Sequence, residues 1–154
     1  MFGKLMTLTA TVAVAGLMAM SAQAEEITLK GASCFPIGSP PSKPFEAFVN
    51  DLNAAGKGVV QIKMIGGAPA IGSPFEMTKR MTKGVFDIVG CPEAYWANVV
   101  PESASVRLSD YSAAEMRTNG AYAYLRNLYE AKNIHFLARH SNFGPFFLWL
   151  NKKI

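Results

Sequence analysis

Short apolar runs alternate with amphipathic stretches along most of the chain, and their order predicts a parallel sheet. The pattern predicts three strands, at residues 27–33, 59–65 and 85–90, and the last of them is expected to be buried on both faces. Between the first two, apolar residues recur at helical spacing from Phe45 to Ala55. Strands joined through a helix run parallel, so this order favours an α/β fold.

A second, shorter helix is predicted between the second and third strands. Ser73 and Glu76 have the spacing of a capping box, and Pro74 occupies the first helical position. Gly84 then supplies a left-handed residue that ends the helix. The sequence therefore predicts the order β-α-β-α-β, with helices flanking a mainly parallel sheet.

The second half of the chain continues the alternation. Ser112 and Glu115 form another predicted capping box. His135 lies inside an apolar run, which is typical of a core histidine. The remaining predicted elements are a short helix at 93–100, a loop at 101–110, one long helix at 113–132, and strands at 134–138 and 145–150.

Residues 1–24 have the features of a secretory signal peptide. Lys4 precedes an apolar run over residues 5–20, and Ala22-Gln23-Ala24 forms a small-residue cleavage site. An uncleaved membrane anchor is the alternative interpretation. Cleavage would leave residues 25–154, a length expected for one domain, outside the cytoplasm.

Composition and motifs argue for a binding protein that uses neither nucleic acid nor a cofactor. The chain has 154 residues and a formal charge of +4, but its lysines and arginines are scattered rather than gathered into a basic stripe. Hydrolase, phosphate-loop and zinc-protease motifs are missing, and two histidines and two cysteines at long spacings do not make a zinc site. The sequence therefore predicts neither an enzyme nor a metal site.

Ligands of open α/β sheets bind beyond the carboxyl ends of the strands, and several unusual residues fall there. Phe35 follows the first predicted strand, while Glu93 and Tyr95 follow the third. A carboxylate with aromatic rings suits the orientation of a small polar ligand. The alternative is that Tyr95 merely packs a short helix on the sheet.

Three motifs resemble the solute-binding proteins of tripartite ATP-independent periplasmic (TRAP) transporters, in the DctP-like family. They are GGAPAIGSPFEM at 66–77, KGVFDIVGCPEAYWANVVPE at 83–102 and SAAEMRTNGAY at 112–122. The resemblance implies a periplasmic protein of two α/β lobes that closes on a small organic carboxylate and works with membrane subunits. Residues 25–154 would be the N-terminal lobe, with the second lobe missing and the ligand-clamping arginine expected beyond Ile154.

The resemblance also assigns residues to the site. It implies that the loop containing Asn142, Phe143 and Phe146 approaches the ligand, as does Glu93, although the phenylalanines could instead belong to the core. Lobes of this type usually place the first and third strands side by side. Cys34 and Cys91 would then meet at one sheet edge, either as a disulfide or as two buried thiols.

Three functions remain open from the sequence. The first is a solute-binding subunit that delivers a carboxylate to a transporter, and the second is a sensor or scavenger of the same fold without a transporter. The third is a nonfunctional fragment.

Overall fold

Three parallel strands form the centre of the molecule, which a computed structural model describes over residues 25–139. The strands are β1 (Ile27–Ser33), β2 (Val60–Gly67) and β3 (Ile88–Gly90), in the spatial order β2-β1-β3. Ile27 is opposite Val60 at the start of one pair. The predicted α/β fold is confirmed, including the position of the first strand beside the third.

Short helices connect and flank the strands. The α-helices are α1 (Lys43–Ala55), α2 (Met77–Thr82), α3 (Ala113–Thr118) and α4 (Ala121–Glu130), and the 3-10 helices are Pro74–Glu76, Glu93–Trp96 and Pro101–Leu108. Helix α1 begins with proline in its first turn and ends where the Gly56 N–H donates to the Leu52 carbonyl. This helix confirms the periodic pattern that predicted it.

Helices α1 and α2 pack on opposite faces of the sheet. Successive strand residues point to opposite faces, so Ile88 and Val89 of β3 belong to different cores. The first core places Phe45 and Val49 of α1 against Ile62 and Ile88. The second core places Met77 of α2 with the buried residues Ala32, Cys34, Ala68, Phe86 and Val89. The sheet is therefore covered on both faces, as parallel sheets require.

Strand β3 is shorter than the predicted strand at 85–90. The Asp87 carboxylate accepts the Lys30 backbone N–H at 2.7 Å, where a strand would present a carbonyl. The Asp87 N–H in turn donates to the Lys30 carbonyl at 2.9 Å. The Asp87 carboxylate thus takes the place of a backbone carbonyl in one hydrogen bond of the ladder, and regular pairing of β3 with β1 begins only at Ile88.

The capping box predicted at Ser73 is absent. Ser73 makes no side-chain bond to the backbone, and the residues after it form the 3-10 turn Pro74–Glu76 before α2 starts at Met77. The end of this helix is as predicted, since Gly84 has φ +76 and its N–H donates to the Met81 carbonyl.

The predicted helix at 93–100 and loop at 101–110 were both partly wrong. The first is a single 3-10 turn, Glu93–Trp96, and the second contains the 3-10 helix Pro101–Leu108. Pro101 stands in the first turn of that helix, where its missing N–H costs nothing.

The long helix predicted at 113–132 is two helices. Gly120 has φ +88, a left-handed conformation that breaks the helical path between α3 and α4. A Cβ built at Gly120 would meet nothing within 4 Å, so backbone conformation rather than close packing explains the glycine. The capping box of α3 is confirmed, because Ser112 and Glu115 exchange both of its hydrogen bonds.

Residues 134–138 do not form the predicted strand. They pack on α4 instead, with Ile134 buried and the ring of Phe136 stacked on Tyr129 at 5.1 Å. The Tyr122 hydroxyl lies 2.9 Å from the Phe136 carbonyl oxygen. Ring stacking and a hydrogen bond from Tyr122 thus hold this segment in place of strand pairing. As a result, among residues 25–139 no strand pairs with the outer edge of β3.

Two predicted segments lie outside the described residues. They are the signal peptide at 1–24 and the strand at 145–150. Within residues 25–139, no helix has the length and apolar character needed to cross a membrane.

Candidate functional site

The carboxyl ends of β1 and β3 lie side by side and are joined covalently. The Cys34 N–H donates to the Gly90 carbonyl at 2.9 Å, which extends the pairing one residue beyond β1. Cys34 and Cys91 form a disulfide, with Cα atoms 5.0 Å apart. The pairing that the sequence left as one of two alternatives is the one present in the structure, and it fixes this edge of the sheet.

Buried hydroxyl groups hold the chain as it leaves β1. Ser33 and Ser42 are both buried, and the Ser42 hydroxyl lies 2.9 Å from that of Ser33. The Phe35 N–H donates to the Ser33 hydroxyl at 3.1 Å. These bonds fix the backbone of Phe35 just beyond the strand.

Three rings gather at this edge and are called here the aromatic cluster: Phe35, Phe75 and Tyr95. Tyr95 is central, with its ring centroid 5.9 Å from that of Phe35 and 4.7 Å from that of Phe75, and both pairs are tilted. These distances fall in the favourable range for aromatic pairs. Phe75 is 56% exposed, so the cluster presents apolar surface to solvent.

Glu93 is held by an arginine that follows it by 14 residues. The Arg107 Nε lies 2.8 Å from Glu93 Oε1, in an ion pair whose side chains are partly exposed. The Ser103 hydroxyl donates to the Glu93 backbone carbonyl at 3.1 Å. The pair therefore joins the two 3-10 helices and brings a cation to the carboxyl end of β3.

A buried tyrosine stands beside this ion pair. Burial raises the pKa of Tyr129 to about 12, the negative charge of Glu93 acts in the same direction, and the Ser103 hydroxyl acts against it. The phenol of Tyr129 is therefore a neutral group throughout the physiological range, and it adds no charge to the site.

A large groove runs along the outer edge of β3, with a volume of about 1620 Å³. Its walls are mainly apolar and come from α1, from β3 and its flanks, and from the chain around α4. The principal apolar lining residues are Phe45, Phe48, Phe86, Trp96, Tyr129 and Ile134. The charged lining residues are Asp51, Asp87, Glu93, Arg107 and Arg139. The Glu93–Arg107 pair thus belongs both to the sheet edge and to the groove.

The structure brings together three of the residues predicted for the site. Phe35 and Tyr95 are in ring contact, and Glu93 lies on the same short helix as Tyr95 but turns its carboxylate to Arg107. The other three predicted residues, Asn142, Phe143 and Phe146, lie outside the described residues.

His135 is not the core histidine that its apolar surroundings predicted. Its side chain is 61% exposed, and Nδ1 lies 3.5 Å from Glu130 Oε1. Because residues 134–138 are not a strand, the alternation expected to point His135 inward does not apply. Among the described residues, no group of three or more histidine, cysteine or acidic side chains is arranged to hold a metal ion.

Sequence reasoning missed Phe75 and Arg107. Arg107 fell in the segment predicted as a loop, although that segment carries helix signals: Pro101 in the first turn, Glu102 after it, and the basic Arg107 in the last turn. Phe75 follows Pro74 at the start of a helix, and nothing in its local pattern predicts contact with Tyr95.

The arrangement suits binding of a small organic molecule. The rings at the sheet edge can make apolar contacts with a ligand, while one ion pair and nearby backbone groups can orient it through hydrogen bonds. This combination is typical of ligand sites. The described residues therefore combine a parallel α/β fold with aromatic rings and an ion pair at the carboxyl ends of its strands.

A solved structure shares this fold. It is the crystal structure of DctP6, an extracytoplasmic solute receptor of Bordetella pertussis that binds pyroglutamic acid, and it matches with a TM-score of 0.53 at 13% sequence identity. The match covers 68% of this chain but only 36% of the receptor. No protein-family model matches the chain. The resemblance inferred from the sequence motifs is thus confirmed at the level of the fold.

Proposed function

We propose that this chain acts as a solute-binding subunit of a TRAP-type transporter, capturing a small organic carboxylate and delivering it to membrane subunits. The observation that carries the proposal is the shared fold with an extracytoplasmic solute receptor. In the proposal, residues 1–24 direct export to the periplasm, and residues 25–154 form the N-terminal lobe that contacts the ligand. Binding, not catalysis, is its activity.

The sheet edge supports a ligand at the aromatic cluster. Ligands of open α/β folds lie beyond the carboxyl ends of the strands, which is where Phe35 and Tyr95 meet. The Cys34–Cys91 disulfide holds those ends in place, so the rings would not have to be ordered when the ligand arrives. On the sequence resemblance, Asn142, Phe143 and Phe146 contribute to the same ligand.

Titration calorimetry of the purified chain with organic acids tests the proposal. We expect heat of binding from at least one of pyroglutamate, succinate and pyruvate. Tyr95→Ala should weaken that binding about tenfold, since it removes the central ring of the aromatic cluster.

Tyr124→Ala is the matched control, because Tyr124 is 61% exposed on α4 and lies outside the aromatic cluster. It should bind the acid as the unchanged chain does. The proposal fails if none of the acids binds to chain that circular dichroism shows to be folded. It also fails, as regards the site, if the two alanine variants bind equally well.

A further inference from the structure

The two outer edges of the sheet are bonded differently. At the β2 edge, the Asn53 side chain donates to the Ile62 carbonyl at 2.9 Å and accepts the Ile62 N–H at 2.7 Å. One carboxamide thus takes both backbone bonds that a further strand would use, and this blocks the edge against strand addition. Among residues 25–139, no strand pairs with the outer edge of β3.

Backbone groups of β3 point into the groove. The Cys34 N–H donates to the Gly90 carbonyl at 2.9 Å, so Gly90 faces β1. The backbone groups of successive strand residues point to opposite sides, so the N–H and carbonyl of Val89 point to the outer edge. Val89 is only 9% exposed, and buried backbone groups are paired in nearly all proteins. This edge therefore favours a polypeptide partner over a small ligand.

The groove at this edge has apolar walls on both sides of the sheet. Phe45 and Phe48 of α1 form one wall, while Phe86 and Trp96 line the other, on the side of α2. Its volume of about 1620 Å³ exceeds the roughly 300–1,000 Å³ of ordinary small-molecule pockets. The groove thus suits an occupant that is apolar on two faces, as a buried strand is.

The chain itself carries such a segment. Residues 145–150 read PFFLWL and contain no charge. Residues 136–139 line the groove, so only five residues separate its wall from this segment. In a strand, alternate side chains would face opposite walls, and both sets are apolar: Pro145, Phe147 and Trp149 on one face, and Phe146, Leu148 and Leu150 on the other.

Charges at the ends of the groove favour one direction for this strand. Asp87 directly precedes β3, and Asp51 lies near the end of α1, which is bonded to the start of β2. Both aspartates line the groove, so its end at the start of β3 is acidic. The other end carries the Glu93–Arg107 ion pair. Because two lysines follow the apolar run, at 152–153, an antiparallel strand would bring them to the aspartates.

We propose that residues 145–150 form a strand that pairs antiparallel with the outer edge of β3 and fills the groove. The N–H and carbonyl of Val89 bond to this strand, and the lysines at 152–153 lie beside Asp51 and Asp87. The inference goes beyond the proposed function and does not depend on it, because it concerns the groove and not the contacts of a ligand.

Hydrogen exchange of the full chain, followed by NMR, tests the pairing. The Val89 N–H should exchange at least about a hundredfold more slowly than an unprotected amide, and within about tenfold of the bonded Cys34 N–H. Leu148→Asp places a charge in the groove and should speed Val89 exchange at least about tenfold relative to Cys34. Leu108→Asp is the matched control, because Leu108 is 88% exposed, and it should leave that ratio unchanged.

Chemical cross-linking tests the direction of the strand and needs no variant. A carbodiimide joins lysine amines to carboxylates in contact, and peptide mass spectrometry identifies the joined residues. We expect links from Lys152 or Lys153 to Asp51 or Asp87. A mixture of chain labelled with nitrogen-15 and unlabelled chain should give links within one label only.

Several results would overturn the inference. Val89 exchange as fast as that of an unprotected amide would show that the edge of β3 stays unpaired. Links from the lysines to Glu93 in place of the aspartates would contradict the antiparallel direction, and links between labels would assign the groove to a second copy. Equal exchange ratios in Leu148→Asp and Leu108→Asp would exclude residues 145–150. Where Leu148→Asp does not fold, the links within the unchanged chain decide.

Discussion

Tyr129 shows how one side chain links the core to the site. It is 2% exposed, lies edge-on to Trp96 and stacks on Phe136 at 5.1 Å. The same burial that gives it these contacts raises the pKa of its phenol to about 12. Tyr129 lines the groove, and the pKa of its phenol therefore also reports how well this part of the molecule is packed.

The Tyr129 pKa predicts a loss of stability in alkali. The unfolded phenol titrates near pH 10 and the folded one near 12, so the raised pKa leaves stability intact below pH 10 and reduces it between pH 10 and 12. Urea unfolding across that window should show a steeper fall in the free energy of unfolding for the unchanged chain than for Tyr129→Phe. Tyr124→Phe controls for loss of a phenol at an exposed position. Equal slopes in the unchanged chain and Tyr129→Phe would contradict the prediction.

Residues at the sheet edge were predictable from the sequence, but their partners were not. Phe35, Glu93 and Tyr95 follow strand ends, a position that the general geometry of α/β sheets selects. The contacts with Phe75 and Arg107 depend on how the connecting segments turn, and local patterns do not determine that. The prediction of a core position for His135 was wrong for a related reason. It assumed a strand that would point the side chain inward, whereas the structure has no strand there and residues 134–138 pack on α4.

At the scale of elements, two identical signatures have different outcomes. Ser73 and Ser112 are each followed three residues later by glutamate, but only Ser112 caps its helix. Pro74 follows Ser73, and the chain there makes a 3-10 turn before α2 begins. At Ser112, both reciprocal bonds form, and the hydrogen bond that the Ser112 backbone N–H donates to the Glu115 carboxylate lowers the pKa of Glu115.

Alanine at each serine tests this difference. Ser112→Ala should lower the free energy of unfolding by about 1 kcal/mol, because it removes a side-chain cap of α3. Ser73→Ala has no such bond to lose and serves as the matched control. Chemical denaturation followed by circular dichroism measures both. A loss from Ser73→Ala as large as that from Ser112→Ala would mean that the sequence signature, and not the observed cap, sets the stability.

The strands of the sheet were predicted better than the helices beyond it. Ile27–Ser33 was predicted to the residue, because its weak alternation of apolar and polar residues stops at the loop that follows. The break at Gly120 was not predicted, since an isolated glycine is tolerated within many helices and only its φ of +88 shows the interruption. The strand predicted at 134–138 does not form, because these apolar residues pack on α4 instead of pairing with the sheet.

At the scale of the whole molecule, the sheet and its disulfide determine the architecture. The bond joins residues 57 apart in sequence and encloses α1, β2, α2 and β3. Its closure restricts the unfolded chain, and the chain-entropy model gives a stabilisation of about 4 kcal/mol for a loop of this length. A small lobe with a three-stranded sheet gains a large share of its stability in this way.

Replacing both cysteines should therefore lower the free energy of unfolding by about 2–4 kcal/mol. The double variant Cys34→Ser with Cys91→Ser is compared with the unchanged chain in guanidinium, each with and without a thiol reductant. Reductant should destabilise only the chain that has the disulfide. A double variant as stable as the oxidised chain would refute the prediction.

The disulfide has a further consequence for how the molecule withstands damage. Residues 34–91 form a closed covalent ring, and the exposed turn at Lys57 and Gly58 lies within it. A protease that cuts once at this turn opens the ring without releasing a fragment, because the two parts remain tethered through sulfur. In an oxidising compartment, a nicked molecule keeps both strands of its β1–β2 pair on one connected body, and only reduction would let the parts separate.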